Sequence, residues 1–306
     1  MIKSFVGVTD REWFDFLRQR PQVNEINFWQ PSGKTQFRAL KPGEMFLFKL
    51  HSPLNYIVGG GVFTHSSILP ISLAWEAFGP GNGASDLMEM KNRVAKYRSI
   101  QVSPFEDYRI GCILLEQPFY FQEKDWIPVP EDWKPNLVRG KTYDLSVQPG
   151  RGLWSEVSAR IARSSSESAA LEVPAYGDPV LVKPRLGQGG FRVLVTDSYQ
   201  RRCAFSGEKT LPALDAAHIK PYTIGHDHSV SNGILLRKDI HALFDRGYIT
   251  VSPDYRIEVS RRIKEEFENG RDYYKFHGTE MRLPVTQDKK PDRNALEWHN
   301  DTVFLG

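Results

Sequence analysis

The sequence predicts an α+β protein in two parts: a small, curved β-barrel decorated by helices, then a compact strand–strand–helix unit. Three observations predict it. The first half carries short apolar or aromatic runs separated by Pro and Gly, the pattern of many short strands. Six of the seven tryptophans, Trp13, Trp29, Trp75, Trp126, Trp133 and Trp154, precede residue 160, and only Trp298 follows. Between the halves, Ala162-Arg-Ser-Ser-Ser-Glu-Ser-Ala-Ala170 and Lys183-Pro-Arg-Leu-Gly-Gln-Gly-Gly190 have the small, polar, turn-rich composition of a linker. The chain is therefore divided into a domain at 1–165, a linker at 166–190 and a domain at 191–306.

In the first part, 9–17 is a helix because a Thr or Asp cap precedes Trp13, Phe14 and Leu17 at helical spacing. Residues 26–29, 44–50, 56–58, 110–115 and 119–121 are the strand runs, and 85–97 is a second, longer helix. Trp126 and Trp133, in a Pro-rich stretch, are expected to anchor a loop on the barrel. In the second part, Phe191, Val195 and Tyr199 at i, i+4 and i+8 place a helix over 190–200. Strands follow at 214–219 and 232–236, then a helix over 238–246 closed by Gly247. Residues 248–251 and 256–259 form a hairpin around Ser252-Pro-Asp254.

With 306 residues, 40% hydrophobic and 25% charged, the chain is no disordered segment. The longest charge-free stretch, 50–75, carries Asn, His, Ser, Pro and glycines, far from the roughly 20 apolar residues of a membrane span. The start lacks the apolar run of a signal peptide. The two cysteines, Cys112 and Cys203, allow neither a disulfide framework nor a paired-cysteine zinc knuckle. A soluble, cytoplasmic protein without membrane association is expected. Residues 1–182 hold 20 Lys+Arg against 20 Asp+Glu, whereas 183–306 hold 20 against 17, so the whole net charge of +3 falls in the second part. A mild basic bias there suits a segment that faces phosphates.

That second part carries the chemistry: Asp215-Ala-Ala-His218-Ile-Lys-Pro221, Asn232-Gly-Ile-Leu-Leu236 and Asp239-Ile-His241-Ala-Leu-Phe-Asp245, with His, Asn and His at intervals of 14 and 9. In spacing, flanking residues and strand–strand–helix context it resembles the HNH endonuclease family, whose site is a ββα-metal unit. Cys203-Ala-Phe-Ser-Gly207 upstream resembles the Cys-x-x-Thr-Gly lead-in of the restriction-type branch. The resemblance covers about 60 residues. It implies that His218 is the base that deprotonates water, that Asn232 orients it, and that His241 is the metal ligand through a neutral imidazole. Lys220, Arg237 and Lys238 are the candidates for phosphate contacts.

One departure stands out. Many HNH nucleases carry an aspartate just before the first histidine, where this chain has Ala217. Asp215 is the nearest acid and the expected second ligand, but in a regular strand it points away from His218, so a bulge or twist is required. Asp245, four residues after His241 on the same helical face, is its rival. Asp239 is expected at the helix N-terminus instead. Magnesium is the default ion, with manganese, cobalt or nickel also accepted by a histidine ligand. His51, His65, His277 and His299 are expected to be structural, His226 and His228 to lie in a solvated loop, and Cys203 to be buried.

The first part resembles the EVE branch of the PUA-like superfamily over about 150 residues. The residues that carry this are Asn27-Phe-Trp29, Leu40-Lys-Pro-Gly-Glu-Met-Phe-Leu-Phe48 and Asn55-Tyr-Ile-Val-Gly-Gly-Gly61, with Glu44 in place of the usual aspartate. That branch reads modified bases, and the physical means would be base flipping. Trp29 and Trp75 are the expected pocket walls, with Ser32, Asn55 and Asp86 as edge readers. An EVE-like reader joined to an HNH nuclease resembles a modification-dependent, type IV restriction endonuclease, which implies double-stranded DNA bearing 5-methylcytosine or 5-hydroxymethylcytosine as substrate and phage defence as role. Cutting both strands with a single site per chain implies a homodimer. Two alternatives remain open: an RNA-directed or modification-independent HNH nuclease, and a binding-only protein with a degenerate HNH scaffold, for which Ala217 is the one supporting residue.

Overall fold

The computed structural model describes residues 2–98, 103, 105–165, 181, 186–225 and 227–306. The chain divides into two compact units, Met1–Gly187 and Gln188–Gly306, and the α+β class holds in both. Residues 166–180 and 182–185 of the predicted linker lie outside the described residues.

The first unit runs β1 (Lys3–Thr9), α1 (Arg11–Arg18), β2 (Glu25–Gln30), β3 (Met45–Leu50), β4 (Tyr56–Pro70), α2 (Ile71–Phe78), α3 (Leu87–Lys96), β5 (Arg109–Tyr120), β6 (Ile127–Pro128), β7 (Gly140–Asp144) and α4 (Gly150–Ser165). The strands make one mixed sheet in the order β2-β5-β4-β3-β1-β7, with β6 on β4; β1 and β3 are its parallel pair. The register between β4 and β5 shifts twice, between Gly60 and Val62 and between Phe63 and His65. Such irregularities bend a strand and steepen its twist, which curves the sheet as a barrel-like fold needs. Both faces are covered, so β3 is buried at every position and β4 at eleven of fifteen.

Caps and anchors follow the sequence. Asp10 caps α1, accepting from the Trp13 N–H at 2.6 Å, and Asp86 caps α3, accepting from the Glu89 N–H at 2.8 Å. Trp126 packs on Phe14 and Tyr56 and donates its indole N–H to the Phe121 carbonyl, while Trp133 lies against the core that includes Val6, Leu47 and Trp154. Several elements of this unit depart from the sequence reading. β1, α2, β6, β7 and α4 had no predicted counterpart, the runs 110–115 and 119–121 are one strand, β5, and β4 runs fifteen residues where only 56–58 was expected. The continuation of β4, Gly59 to Ser67, is glycine and hydroxyl rich, with no alternating pattern to reveal a strand buried on both sides.

The second unit runs α5 (Gln188–Ser198), β8 (Leu214–His218), α6 (Tyr222–Gly225), β9 (Gly233–Arg237), α7 (Lys238–Asp245), β10 (Ile249–Val251), β11 (Ile257–Val259), α8 (Arg262–Phe267), α9 (Arg271–Tyr274) and α10 (Arg293–Thr302). β8 and β9 form an antiparallel ribbon with His218 opposite Gly233, and β10 and β11 form the expected hairpin. One core gathers Phe191 and Val195 of α5, Leu214 and Ala217 of β8, Ile234 and Leu236 of β9, Ile240 and Phe244 of α7, and Leu296 of α10. Gly247 ends α7 at φ +77°, where the Tyr248 N–H returns to the Leu243 carbonyl at 2.9 Å. Cys203 is fully buried, and its loop is pinned by the Ala204 N–H to Leu235 carbonyl bond of 2.7 Å.

His299 of α10 is structural, as expected. It is 2% exposed, stacks on Phe244 at 3.9 Å, faces the Thr250 hydroxyl through Nδ1 at 2.8 Å and the Phe244 carbonyl through Nε2 at 3.2 Å. Only the neutral ring with its proton on Nε2 lets Thr250 donate to Nδ1 while Nε2 donates to the carbonyl. Burial lowers its pKa to about 4, against the weaker upward pull of the Phe244 carbonyl and Asp245. A base with a depressed folded pKa contributes stability that is complete above the unfolded value near 6.5 and is lost as pH falls toward 4. The loss at the acid end is about 3 kcal/mol. Melting curves between pH 7 and pH 4 should therefore fall steeply, and His299→Gln should flatten the profile; an unchanged slope would show that another group titrates there.

Candidate active site

β8, β9 and α7 bring the motif together. The ladder between β8 and β9 runs without a register shift from Leu214–Arg237 to His218–Gly233. Burial along 215–218 nonetheless departs from alternation: Asp215 and His218 are both half-buried, and the two alanines between them are buried. No bulge is present, so the twist of a two-stranded ribbon turns Asp215 onto His241 of α7, while His218 stacks on Phe191 of α5. Gly233 is required beside His218, since a Cβ there would lie 2.5 Å from Val195 and 2.9 Å from Phe191.

His218 lies flat on Phe191, centroids 3.8 Å apart and planes within 9°. Burial, reinforced by the nearby His228 and His241, lowers its pKa to about 4. The ring is thus neutral at physiological pH and carries the lone pair a base needs.

Asn232 is 3% exposed. Its Oδ1 accepts from the Lys220 N–H at 2.9 Å, and its Nδ2 donates to the Lys220 carbonyl at 2.9 Å and the Asp227 carbonyl at 3.0 Å. All three partners are backbone. Asn232 therefore braces the connection that leaves β8 just after His218, and whatever orientation it gives the base passes through that connection.

His241 stands between two carboxylates: Nδ1 is 3.3 Å from Asp215 Oδ2, and Nε2 is 3.3 Å from Asp245 Oδ2. Burial alone would lower its pKa, but the hydrogen bonds and charges of Asp215 and Asp245 outweigh it and raise the value to about 9. Asp215 is held below the ordinary carboxylate range, its own burial overcome by His241 and by Arg192, whose Nε lies 3.4 Å away. Both rival ligands thus meet His241, one on each ring nitrogen. Asp239 instead forms a forked pair with Arg237 at 3.0 and 2.5 Å.

Among the described residues no group of three or more His, Cys, Asp or Glu is arranged as a metal cage. The donor set still fits a hard divalent ion, which keeps several waters and takes only one or two protein carboxylates beside substrate phosphate. An imidazole nitrogen and a carboxylate oxygen 3.3 Å apart match neighbouring donors on one such ion. Occupancy would replace the proton on that nitrogen.

The phosphate candidates fare differently. Lys238 is exposed in the first turn of α7. Lys220 has its ammonium 5.2 Å from the Trp298 ring centroid. Arg237 is occupied by Asp239, so a phosphate would have to compete for it. Three residues at the site were not singled out from sequence: Phe191, Arg192 and His228. His228, expected in a solvated loop, lies 3.1 Å from His218 Nε2; His226 lies outside the described residues.

In the first unit the reader candidates fall on several elements. Trp29 is 8% exposed, and its Nε1 donates to the Asn82 carbonyl at 3.0 Å. Trp75 is half-buried on α2, and Ser32 is exposed, taking the Lys34 N–H at 3.3 Å. Asn55 sits in the β3–β4 turn at φ +51° with its Oδ1 on the Lys49 ammonium at 2.7 Å, and Asp86 is the α3 cap. The structure thus gives Asn55 and Asp86 local partners and sets Trp29 against the core.

Residues 203–252 match the HNH endonuclease family, so the second unit carries a nuclease domain. No curated protein matches the chain. Among solved structures, the ASCH protein of Zymomonas mobilis aligns with 50% of this chain and 94% of its own at 11% identity and a TM-score of 0.33. A modification-dependent restriction endonuclease, TagI, aligns with 92% of this chain and 75% of its own at 13% identity and a TM-score of 0.28. No helix among the described residues is long and apolar enough to cross a membrane.

Proposed function

From an HNH endonuclease domain at 203–252, we propose that this nuclease is a divalent-metal-dependent endodeoxyribonuclease that cuts duplex DNA carrying a modified cytosine, 5-hydroxymethylcytosine or 5-methylcytosine. The observation that carries the reaction is the convergence of a neutral His218, a braced Asn232 and the Asp215–His241 pair on one ribbon and one helix. The modified base follows from the EVE-like residues of the first unit, which resemble a domain that holds a flipped base between aromatic faces. Phage defence and a homodimer, with one strand cut per subunit, belong to the same reading. So does a cytoplasmic location.

His218 takes a proton from the attacking water, whose oxygen then bonds to phosphorus as the bond to the 3′ oxygen breaks and solvent protonates the leaving group. Burial of His218 against Phe191 leaves the imidazole unprotonated before the step. Asp215 and His241 would hold the divalent ion, with Asp245 on the far nitrogen, and the ion supplies charge stabilisation at the phosphate and the leaving oxygen. Lys220 and Lys238 would meet the flanking phosphates.

Matched duplexes containing cytosine, 5-methylcytosine or 5-hydroxymethylcytosine, incubated with magnesium, manganese or chelator, test the proposal. Metal-dependent cutting of a modified duplex alone is expected. Equal cutting of all three would remove the reader, and cutting of RNA alone would move the substrate. Trp75→Ala should weaken binding to modified duplex by the roughly 1–3 kcal/mol of one stacked base while leaving unmodified duplex unaffected. An equal loss on both would assign Trp75 to packing.

A further inference from the structure

The connection between β8 and β9 brings a second histidine to the base. His218 Nε2 and His228 Nδ1 are 3.1 Å apart. Each ring is held flat by an aromatic neighbour: His218 by Phe191 of α5, and His228 by Tyr222 of α6 at 4.0 Å and 11°. The chain on either side of His228 is fixed as well. Asn232 Nδ2 donates to the Asp227 carbonyl at 3.0 Å, and the Ser229 N–H and hydroxyl both donate to the Asp227 carboxylate at 2.7 Å.

A neutral imidazole has one N–H and one lone pair, so the partner of one nitrogen decides what the other presents. His218 Nε2 is committed to His228, and His218 Nδ1 has no hydrogen bond among the described residues. We propose that His228 is the positioning residue for the base: its Nδ1 accepts the Nε2–H of His218 and thereby keeps the His218 Nδ1 lone pair free for the attacking water. The proposal rests on the nuclease reading above. When the water proton arrives on His218 Nδ1, the resulting imidazolium still donates Nε2–H to His228, now as a stronger, charge-assisted bond. The reverse arrangement, with His228 donating, would put the His218 proton on Nδ1 and leave no base. His228 thus does for His218 what the buried carboxylate does for the histidine of a serine protease, with a neutral acceptor in place of a charged one.

Three substitutions separate this from a packing role. His228→Phe keeps a ring on Tyr222 but cannot accept, and His228→Ala removes both; each should lower kcat about 10–100-fold with KM and duplex affinity unchanged. His228→Asn, whose Oδ1 occupies the position of the imidazole Nδ1, should recover activity to within about threefold of the unsubstituted protein. Nitrogen NMR of the full chain labelled in its histidines, with the His218 signal identified by its loss in His218→Ala, should report the Nε2–H form in the unsubstituted and Asn proteins and a mixture in the Phe and Ala proteins. Full activity in His228→Phe, an Asn variant as slow as Ala, or His218 protonated on Nδ1 would overturn the proposal. If the unsubstituted protein cuts no nucleic acid, the nuclease reading fails, and the NMR result still decides the hydrogen bond by itself.

Discussion

Cleavage by His218→Ala is expected to fall by about 10²–10⁴-fold, the usual contribution of a positioned general base, while duplex binding and the melting temperature stay near those of the unsubstituted protein. Binding survives because the phosphate candidates Lys220 and Lys238 and the whole first unit are untouched. Stability survives because His218 is only half-buried and gives up one hydrogen bond, to His228, and a stack on Phe191. Single-turnover cleavage beside a filter or fluorescence binding measurement reads both quantities. Normal cutting would place the base elsewhere and leave the ribbon as a scaffold; a loss of binding parallel to the loss of cutting would make His218 a DNA contact.

Asn232→Ala is expected to act on the fold first. The substitution leaves the Lys220 N–H and the carbonyls of Lys220 and Asp227 without their side-chain partner in a buried position. Three partly buried hydrogen bonds lost at once, at about 1 kcal/mol each, cost about 3 kcal/mol in total. For a unit of this size that lowers the melting temperature of the second unit by on the order of 15 °C. Cleavage falls too, even at temperatures where the unit remains folded, because the released connection carries His228 and leaves the base free to turn. Differential scanning calorimetry with cleavage at low temperature checks both. A variant that melts normally but does not cut would give Asn232 a direct role at the reacting phosphate. A variant that melts normally and cuts normally would dispense with the brace altogether.

The two substitutions together distinguish chemistry from support. His218→Ala should separate activity from stability, whereas Asn232→Ala should lose both. That distinction was not available from the sequence, where the two residues have equal standing in one motif. It comes from the direction of hydrogen bonds: those of Asn232 all end on backbone, and that of His218 ends on another side chain.

The strand, strand and helix of the motif were legible because they are local. Apolar residues at Leu214, Ile234, Leu235, Leu236, Ile240 and Phe244 announce the buried positions, and Gly247 announces the end of α7 at positive φ. The α1 cap was legible for the same reason, as Asp10 shows, whereas Asp86, expected as an edge reader, caps α3. The long strand β4 was not, since its burial comes from neighbours on both faces and its own glycines and serines have little strand preference. The last helix of the first unit was also missed: α4 runs to Ser165, into residues whose small, polar composition reads as linker.

By itself, the sequence determined the identity of the chemical groups and their order: an imidazole on a strand, an amide at the entrance to the next strand and a second imidazole on a helix, with acids at 215 and 245 nearby. Spacing along a chain fixes those facts, because each element is built from contacts a few residues apart. Only the tertiary structure decided which groups face each other. The twist of the β8–β9 ribbon brings Asp215 onto His241 without a bulge, and the aromatic faces of Phe191 and Tyr222 bring His228 onto His218. These choices depend on packing between segments 26 and 27 positions apart, Asp215 with His241 and Phe191 with His218, where no local periodicity carries the information.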